Sequence, residues 1–294
     1  MVDLHTHSNA SDGDLSPGAL IREAVKRGLS AIALTDHDTI NGLESARNEA
    51  QKLGIRFIPG IEIEIKWRAP PAGSGEANSS VSGTGPGGEF HLLGLGISRP
   101  SPAFLAAIAE LSRLREARNR EILEKMRELS IEADYEDIKA LSGGHSVGRP
   151  HFASLLVNRK IVKTREQAFA RYLGAGKPLY VPKEGLEFEK AAAIITESGG
   201  IPVLAHPMSL YVAWGRLPGL IQELQTRGLM GIEAWHPTAK VRSCKRLEEI
   251  GKSLGLFITA GSDFHGSVRP DRRLGLTTGG REIEDSVLEK LPLL

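Results

Sequence analysis

Short apolar runs and amphipathic stretches alternate along most of this chain. Ala31-Ile32-Ala33-Leu34, Ile55 to Ile63, His91 to Ile97, Ile201 to Ala205, Met230 to Ala234 and Leu256 to Ala260 each read as a strand. The unbroken runs among them are those of strands buried on both faces, as in a parallel sheet. Helical signals fill the gaps. Ser16 can cap a helix that has Pro17 in its first position and ends near Gly28, and a second helix runs from about Gly42 to Leu53 with Gly54 closing it. Further helices are expected over Ala191 to Glu197, Leu217 to Arg227 and Ala239 to Leu254. The rhythm predicts an α/β, barrel-like repeat and leaves the strand count open.

Two stretches depart from it. From about Trp67 to Gly88 the composition turns to Pro, Gly, Ser and Asn, which cannot bury enough apolar surface to offset its ordering entropy and reads as a surface loop. Residues 101–184 read as a helical insertion that contributes to substrate binding, set between barrel segments 1–100 and 185–294. Its first helix, Pro102 to about Ser130, carries Arg118 on the same stripe as Leu111, Leu114, Ile122 and Leu129. An Arg there needs an anion, and periodicity alone favours a structural carboxylate over a substrate phosphate. Gly148-Arg149-Pro150-His151 resembles a helix start whose amides, beside an Arg, favour anion binding. After Pro270 the tail offers little chemistry.

Composition narrows the possible functions. The 294 residues are 40% hydrophobic, enough for a large core, and 37 Lys and Arg face 36 Asp and Glu, so no global field collects polyanions. Cys244 is the single cysteine, which excludes internal disulfides and a thiolate metal cage and points to a reducing, cytoplasmic setting. No signal-peptide pattern opens the chain, no run approaches ~18 apolar residues, and no membrane or obligatory protein partner is expected.

The chemistry lies at the strand ends. In the extended segment Asp3-Leu4-His5-Thr6-His7, side chains alternate faces, so His5 and His7 can grip one cation. Asp12 follows; then come Asp36, His37 and Asp38 after the next strand, Glu62 within an apolar run, His206, and Asp263 with His265. His91 stands at the start of its strand, so that strand either begins earlier or delivers its ligand differently. Parallel strands gather their carboxyl ends on one face, making neighbours of distant residues. Imidazole and carboxylate without thiolate suit manganese, iron or zinc in a hydrolytic centre. His145 is set aside as structural, and His236 is left open.

Asp3-Leu4-His5-Thr6-His7-Ser8 with Ser11-Asp12-Gly13, Thr35-Asp36-His37-Asp38, Gly60-Ile61-Glu62, His91, Ala205-His206-Pro207 and Gly261-Ser262-Asp263-Phe264-His265 together resemble the PHP (polymerase and histidinol phosphatase) family of metal-dependent phosphoesterases. The likeness is closer to its TrpH-like stand-alone branch, and implies a distorted (β/α)7 barrel with a helical insertion. It further implies three divalent ions, manganese first with iron or zinc as alternatives. One would be held by His5, His7, Glu62 and Asp263. A second would share Glu62 and add His91 and His206, and a third would be held by Asp12, His37 and His265.

The expected reaction is phosphate-ester hydrolysis by a metal-bridged hydroxide, carried by His5, His7, Glu62, Asp263 and His206. Arg149 is the first candidate clamp for a substrate phosphate, with Arg118 and Lys177 behind it and His151 as a proton donor or phosphate contact. The resemblance suggests a nucleotide or short single-stranded oligonucleotide substrate, for a 5′-to-3′ exonuclease or a 3′,5′-nucleoside bisphosphate phosphatase. A histidinol-phosphatase type of metabolite phosphatase and a non-catalytic metal- or nucleic-acid-binding module are the rivals.

Overall fold

The computed structural model describes residues 1–66, 88–142 and 146–292. The Gly- and Ser-rich stretch 67–87 and His145 lie outside the described residues. Among the described residues, seven strands form one sheet in chain order: β1 (Val2–Asp3), β2 (Ala31–Leu34), β3 (Arg56–Glu64), β4 (His91–Leu95), β5 (Ile201–Leu204), β6 (Gly231–Trp235) and β7 (Phe257–Ala260). Pairs β1–β2, β2–β3, β5–β6 and β6–β7 are parallel, whereas β4 runs antiparallel to both neighbours. The sheet bends round until the segment after β1 meets the segment after β7, where Thr6 bridges Phe264, the Asp263 amide donates to the His5 carbonyl (2.9 Å) and the His7 amide to the Phe264 carbonyl (2.9 Å). The result is a nearly closed, distorted (β/α)7 barrel.

The antiparallel strand resolves the position of His91. Entering from the rim at which its neighbours end, β4 places its first residue where the others place their last. His91 pairs with Glu64 in register, two residues beyond Glu62 and on the same face.

Helices pack outside the strands. α1 (Pro17–Lys26) starts as its sequence dictates, with Ser16 Oγ accepting from the Ala19 amide and Pro17 in the first turn, and α2 (Leu43–Leu53) ends on Gly54 in a left-handed conformation (φ 71°) that suits glycine. Alternation along β2 then sorts the core. Ile32 and Leu34 join Leu20, Ile21, Ala46 and Ala50 of the two helices, while Ala31 and Ala33 turn the other way to Ile58, Leu93, Leu95 and Val203. Glu62 shares the face of Ile58, and His91 that of Leu93, so donors cap the same face that packs the strand core.

α3 (Pro102–Glu128) serves two cores. Phe104, Ala107 and Leu111 pack with Phe188 and Ile195 of the barrel, where α7 (Phe188–Glu197) belongs. Ile122, Leu123 and Met126 instead build a separate cluster with α4 (Tyr135–Leu141), α5 (Arg149–Asn158) and α6 (Arg165–Ala168), reaching Val181. The expected stripe is shorter than periodicity suggested, since Leu129 caps the helix end and is 43% exposed. α8 (Leu217–Thr226), α9 (Val241–Ser253) and α10 (Ser286–Glu289) complete the chain. No helix among the described residues is long and apolar enough to cross a membrane.

The closing turn after β7 leaves no room at Gly261, where an added Cβ would lie 2.2 Å from His5 Cβ and 2.6 Å from Glu233 Oε1. Gly261→Ala should therefore destabilise the fold by about 1–3 kcal/mol. A lowered unfolding midpoint in denaturant checks this, and an unchanged midpoint would contradict it.

Candidate metal centre

Three residues with positive φ, Asp38 (53°), His206 (27°) and Asp263 (52°), follow β2, β5 and β7. Such backbone is costly for residues other than glycine, and here it turns the chain sharply at the rim. The nine residues expected as ligands all converge there. Donor atoms lying within 4.8 Å of one another form four overlapping groups: His5, His7 and Asp263; His5, Glu62 and His206; His37, Glu62 and His91; and His7, Asp12, His37 and His265. The overlaps differ in detail from the expected shells, because His7 also stands with the Asp12 group and His5 also with His206. His7 Nε2 lies 3.4 Å from Glu62 Oε2 and 3.3 Å from Asp263 Oδ1, while its Nδ1 faces Asp12.

Glu62 is the centre of the cluster. Its Oε1 lies 2.9 Å from both His91 Nδ1 and His206 Nε2, and its Oε2 lies 2.9 Å from His37 Nδ1 and 3.5 Å from His5 Nε2. Among the described residues, His7 Nδ1, Glu62 Oε2 and His265 Nε2 are nonetheless buried without a hydrogen-bond partner. His5 Nε2 and His7 Nε2 stand 3.1 Å apart with room for one proton between them. Lone pairs facing one another in this way are costly by themselves, and divalent cations would satisfy them. The residues therefore fit such ions, as the all-oxygen-and-nitrogen donor set also requires.

The outer partners set the orientation of the rings. Glu233 Oε1 takes His5 Nδ1 at 3.0 Å, and its Oε2 accepts from the His206 amide at 2.7 Å. Ser209 Oγ meets His206 Nδ1 at 2.7 Å, Glu64 Oε2 meets His91 Nε2 at 3.1 Å, and the Asp263 carbonyl accepts from His265 Nδ1 at 2.8 Å. Contacts of this kind select the tautomer that leaves the other nitrogen free for a cation. Asp36 and Asp38 do not join the donor groups. Asp36 accepts from the Ser8 amide and from the Ser8 and Ser11 hydroxyls, pinning the turn between His7 and Asp12, while Asp38 takes the Arg115 guanidinium.

Electrostatics follow from burial and neighbours. Burial opposes a charged His5, yet the carboxylates of Glu233, Glu62 and Asp263 outweigh it and raise its pKa well above the ordinary imidazole value. His91 behaves alike through Glu62 and Glu64. His7 goes the other way, pulled down to about 3 by burial and by His265. Asp36, buried with only hydroxyl and amide partners, is pushed up to about 6.

The centre forms the floor of a cleft of about 410 Å³. Arg115, Arg118 and Arg149 line its wall, and Arg118 forms no ion pair among the described residues, so the expected structural carboxylate is absent. Burial, with Arg115 and Arg149 nearby, pushes Arg118 down to about 10. His151 stands at the start of α5, where its Nδ1 accepts from the Gly148 amide (2.9 Å) and fixes a neutral ring with the proton on Nε2. Lys177 is exposed and does not line the cleft.

Sequence reasoning missed several residues. Glu233 carried the signal that singled out Glu62, a carboxylate in an apolar strand, and Arg115 lies four residues after Leu111 on the stripe that drew attention to Arg118. Arg272 had no local signal, and it corrects the reading that the tail after Pro270 offers little chemistry. Buried to 5% exposure, its Nη1 donates to Asp263 Oδ2 (2.9 Å) and to His236 Nε2 (3.0 Å), leaving Asp263 Oδ1 to face His5 and His7. His236, left open, is thereby placed beside the centre.

Residues 3–179 match the family model described as the PHP domain. The chain belongs to the PHP domain family. A 5′-3′ exoribonuclease of Haemophilus influenzae is 34% identical over 90% of this chain and 89% of its own length. A 3′,5′-nucleoside bisphosphate phosphatase of Chromobacterium violaceum is 31% identical over 94% and 91%. Among solved structures, a Chromobacterium violaceum amidohydrolase with bound sulfate is similar with a TM-score of 0.80 and 29% identity, covering 95% of this chain and 92% of its own. With the donor clusters, membership of the PHP family makes this protein a metal-dependent phosphoric ester hydrolase.

Glu233→Gln should weaken cation binding about 10- to 100-fold by releasing the His5 ring, measured by calorimetric Mn²⁺ titration. Because His5 and His91 hold protons above the ordinary imidazole range, cation binding should expel protons and tighten as pH rises. Titrations in buffers of different ionisation enthalpy count those protons, and a count of zero at neutral pH would sink the assignment.

Proposed function

We propose that this PHP protein hydrolyses phosphate esters of nucleotides or short oligonucleotides, as a 5′-to-3′ exonuclease or a 3′,5′-nucleoside bisphosphate phosphatase of the TrpH-like branch. It would use three divalent ions, manganese first. One observation carries the reading: a floor of converging imidazoles and carboxylates lies in the same cleft as the guanidiniums of Arg118 and Arg149, neither of which forms an ion pair among the described residues. A ligand that meets both is multiply anionic and oxygen-rich, which describes a phosphate ester better than a neutral amide. The names of the two relatives, an exoribonuclease and a nucleoside bisphosphate phosphatase, point to the same chemical class.

Bound cations would supply Lewis acidity to the phosphoryl oxygens and bring the pKa of a coordinated water toward neutrality. His5, His7, Glu62, Asp263 and His206 hold the floor in shape, Glu62 serving two donor groups at once. Asp12, His37 and His265 hold its other side. Arg149, at the first turn of α5, and Arg118 clamp a phosphate that is not being cleaved, with forked donors matched to its oxygens. His151, expected as a proton donor or phosphate contact, stands behind Arg149 in the first turn of α5 and is not among the residues that line the cleft.

The test is a panel of phosphorylated substrates given to Mn²⁺-reconstituted protein: adenosine 3′,5′-bisphosphate, 5′-phosphorylated trinucleotides, histidinol phosphate and a simple aryl phosphate. Nucleotide substrates should be turned over best and His5→Ala should abolish turnover. Arg149→Ala should lower kcat/KM on nucleotides about 10- to 100-fold, the loss expected for one charge-assisted contact. Equal rates on histidinol phosphate and nucleotides, or an unaffected Arg149→Ala, would overturn substrate class and clamp respectively.

A further inference from the structure

Among the described residues one aromatic side chain is left in solvent. Tyr211 is 81% exposed, whereas each described Phe, Trp and remaining Tyr is buried or half-buried. It lines the same cleft as His206 and His236. Its backbone is left-handed (φ 52°, ψ 33°), a conformation that costs an aromatic residue about 1–2 kcal/mol. The chain therefore holds a large apolar ring in water at the mouth of the site, at a backbone cost that no burial repays.

The position is rigidly set. Tyr211 ends the short helical turn Pro207–Leu210 that begins directly after His206, and its amide donates to the Met208 carbonyl (3.3 Å). Leu210 is fully buried, and Ser209 Oγ ties the turn to His206 Nδ1 (2.7 Å) and to the Glu89 carbonyl (2.9 Å). One ring edge rests on Gly88, where an added Cβ would stand 2.4 Å from Tyr211 Cδ2 and 1.9 Å from the Ser209 carbonyl. Only a residue without a side chain lets the ring lie there. The turn thus joins a donor of the centre to an exposed ring through the four residues Pro207–Leu210.

We infer that Tyr211 is the nucleobase platform of this enzyme: its ring stacks on the base of the nucleotide whose phosphate lies among the His and carboxylate donors. The inference rests on the nucleotide reading above and adds to it the part of the substrate that the metal centre and the arginines do not touch. Every base offers a π-face, so the platform accepts purines and pyrimidines alike and favours a base over none. A substrate consisting of phosphate alone gains nothing from it.

The experiment compares adenosine 3′,5′-bisphosphate with its abasic tetrahydrofuran 3′,5′-bisphosphate on the Mn²⁺-loaded full chain. The wild type should prefer the base-bearing substrate through KM, with little difference in kcat. Tyr211→Ala should shrink that preference about 5- to 100-fold, the range expected for one base–aromatic stack, and Tyr211→Trp and Tyr211→Phe should keep it. Because the side chain is solvent-exposed, the Ala variant should fold, which circular dichroism verifies. A wild type without the preference, an Ala variant that retains it, or a loss shared by Trp and Phe would overturn the platform. Wild-type failure to hydrolyse either bisphosphate, with turnover of histidinol phosphate intact, would instead overturn the nucleotide reading, and the platform with it.

Discussion

Glu62 is a carboxylate with 1% of its surface exposed, set on a strand between Ile61 and Ile63, and the architecture around it answers the cost of that burial. An isolated carboxylate so placed would take up a proton instead of remaining charged. Here burial is opposed by the imidazoles of His37, His91, His5 and His206, which hold the group well below the usual carboxylate range. Those imidazoles come from five different segments of chain if Glu62 itself is included. The barrel must close before the charge is tolerable, and the closed barrel keeps the charge where cations can share it.

The same constraint explains features that look unrelated. The antiparallel β4 is the means by which a strand's first residue, His91, reaches a rim otherwise made of strand ends. The positive-φ turns at His206 and Asp263 and the bare Gly261 give up backbone comfort and side-chain volume to bring rings within about 3 Å of carboxylates. Arg272, from the tail, holds one oxygen of Asp263 so that the other points into the centre. Above this floor, α3 links two cores. Its barrel-packed half ends near Arg115 and Arg118, so the cleft wall is fixed to the same scaffold as the floor.

Legibility varied with how local the signal was. Strands β2, β3, β5, β6 and β7 and the helices between them could be read from apolar runs and caps, with boundaries off by up to three residues, as at the start of α7. The nine candidate donor positions were legible because His and carboxylates recur after strand after strand, and all nine side chains converge at one rim. The sharing of His7 and His5 between groups was not legible, because it depends on which ring nitrogen faces which neighbour. Glu233 and Arg115 carried readable signals that went unused. Arg272 carried none, since nothing around a lone Arg in a polar tail distinguishes a solvated side chain from one that inserts beside Asp263.

By itself the sequence determined the chemistry: which donors exist, the absence of thiolate, the alternating strands and helices, and the order in which ligands are delivered. Those are properties of residue type and of periods two and 3.6, and both are local. Only the tertiary structure decided the direction of β4, the closure of Thr6 on Phe264, the pairing of Arg118 with a cleft instead of a carboxylate, and the exposure of Tyr211 beside His206. Each of these is set by contacts between segments far apart in the chain, whose geometry no local pattern encodes.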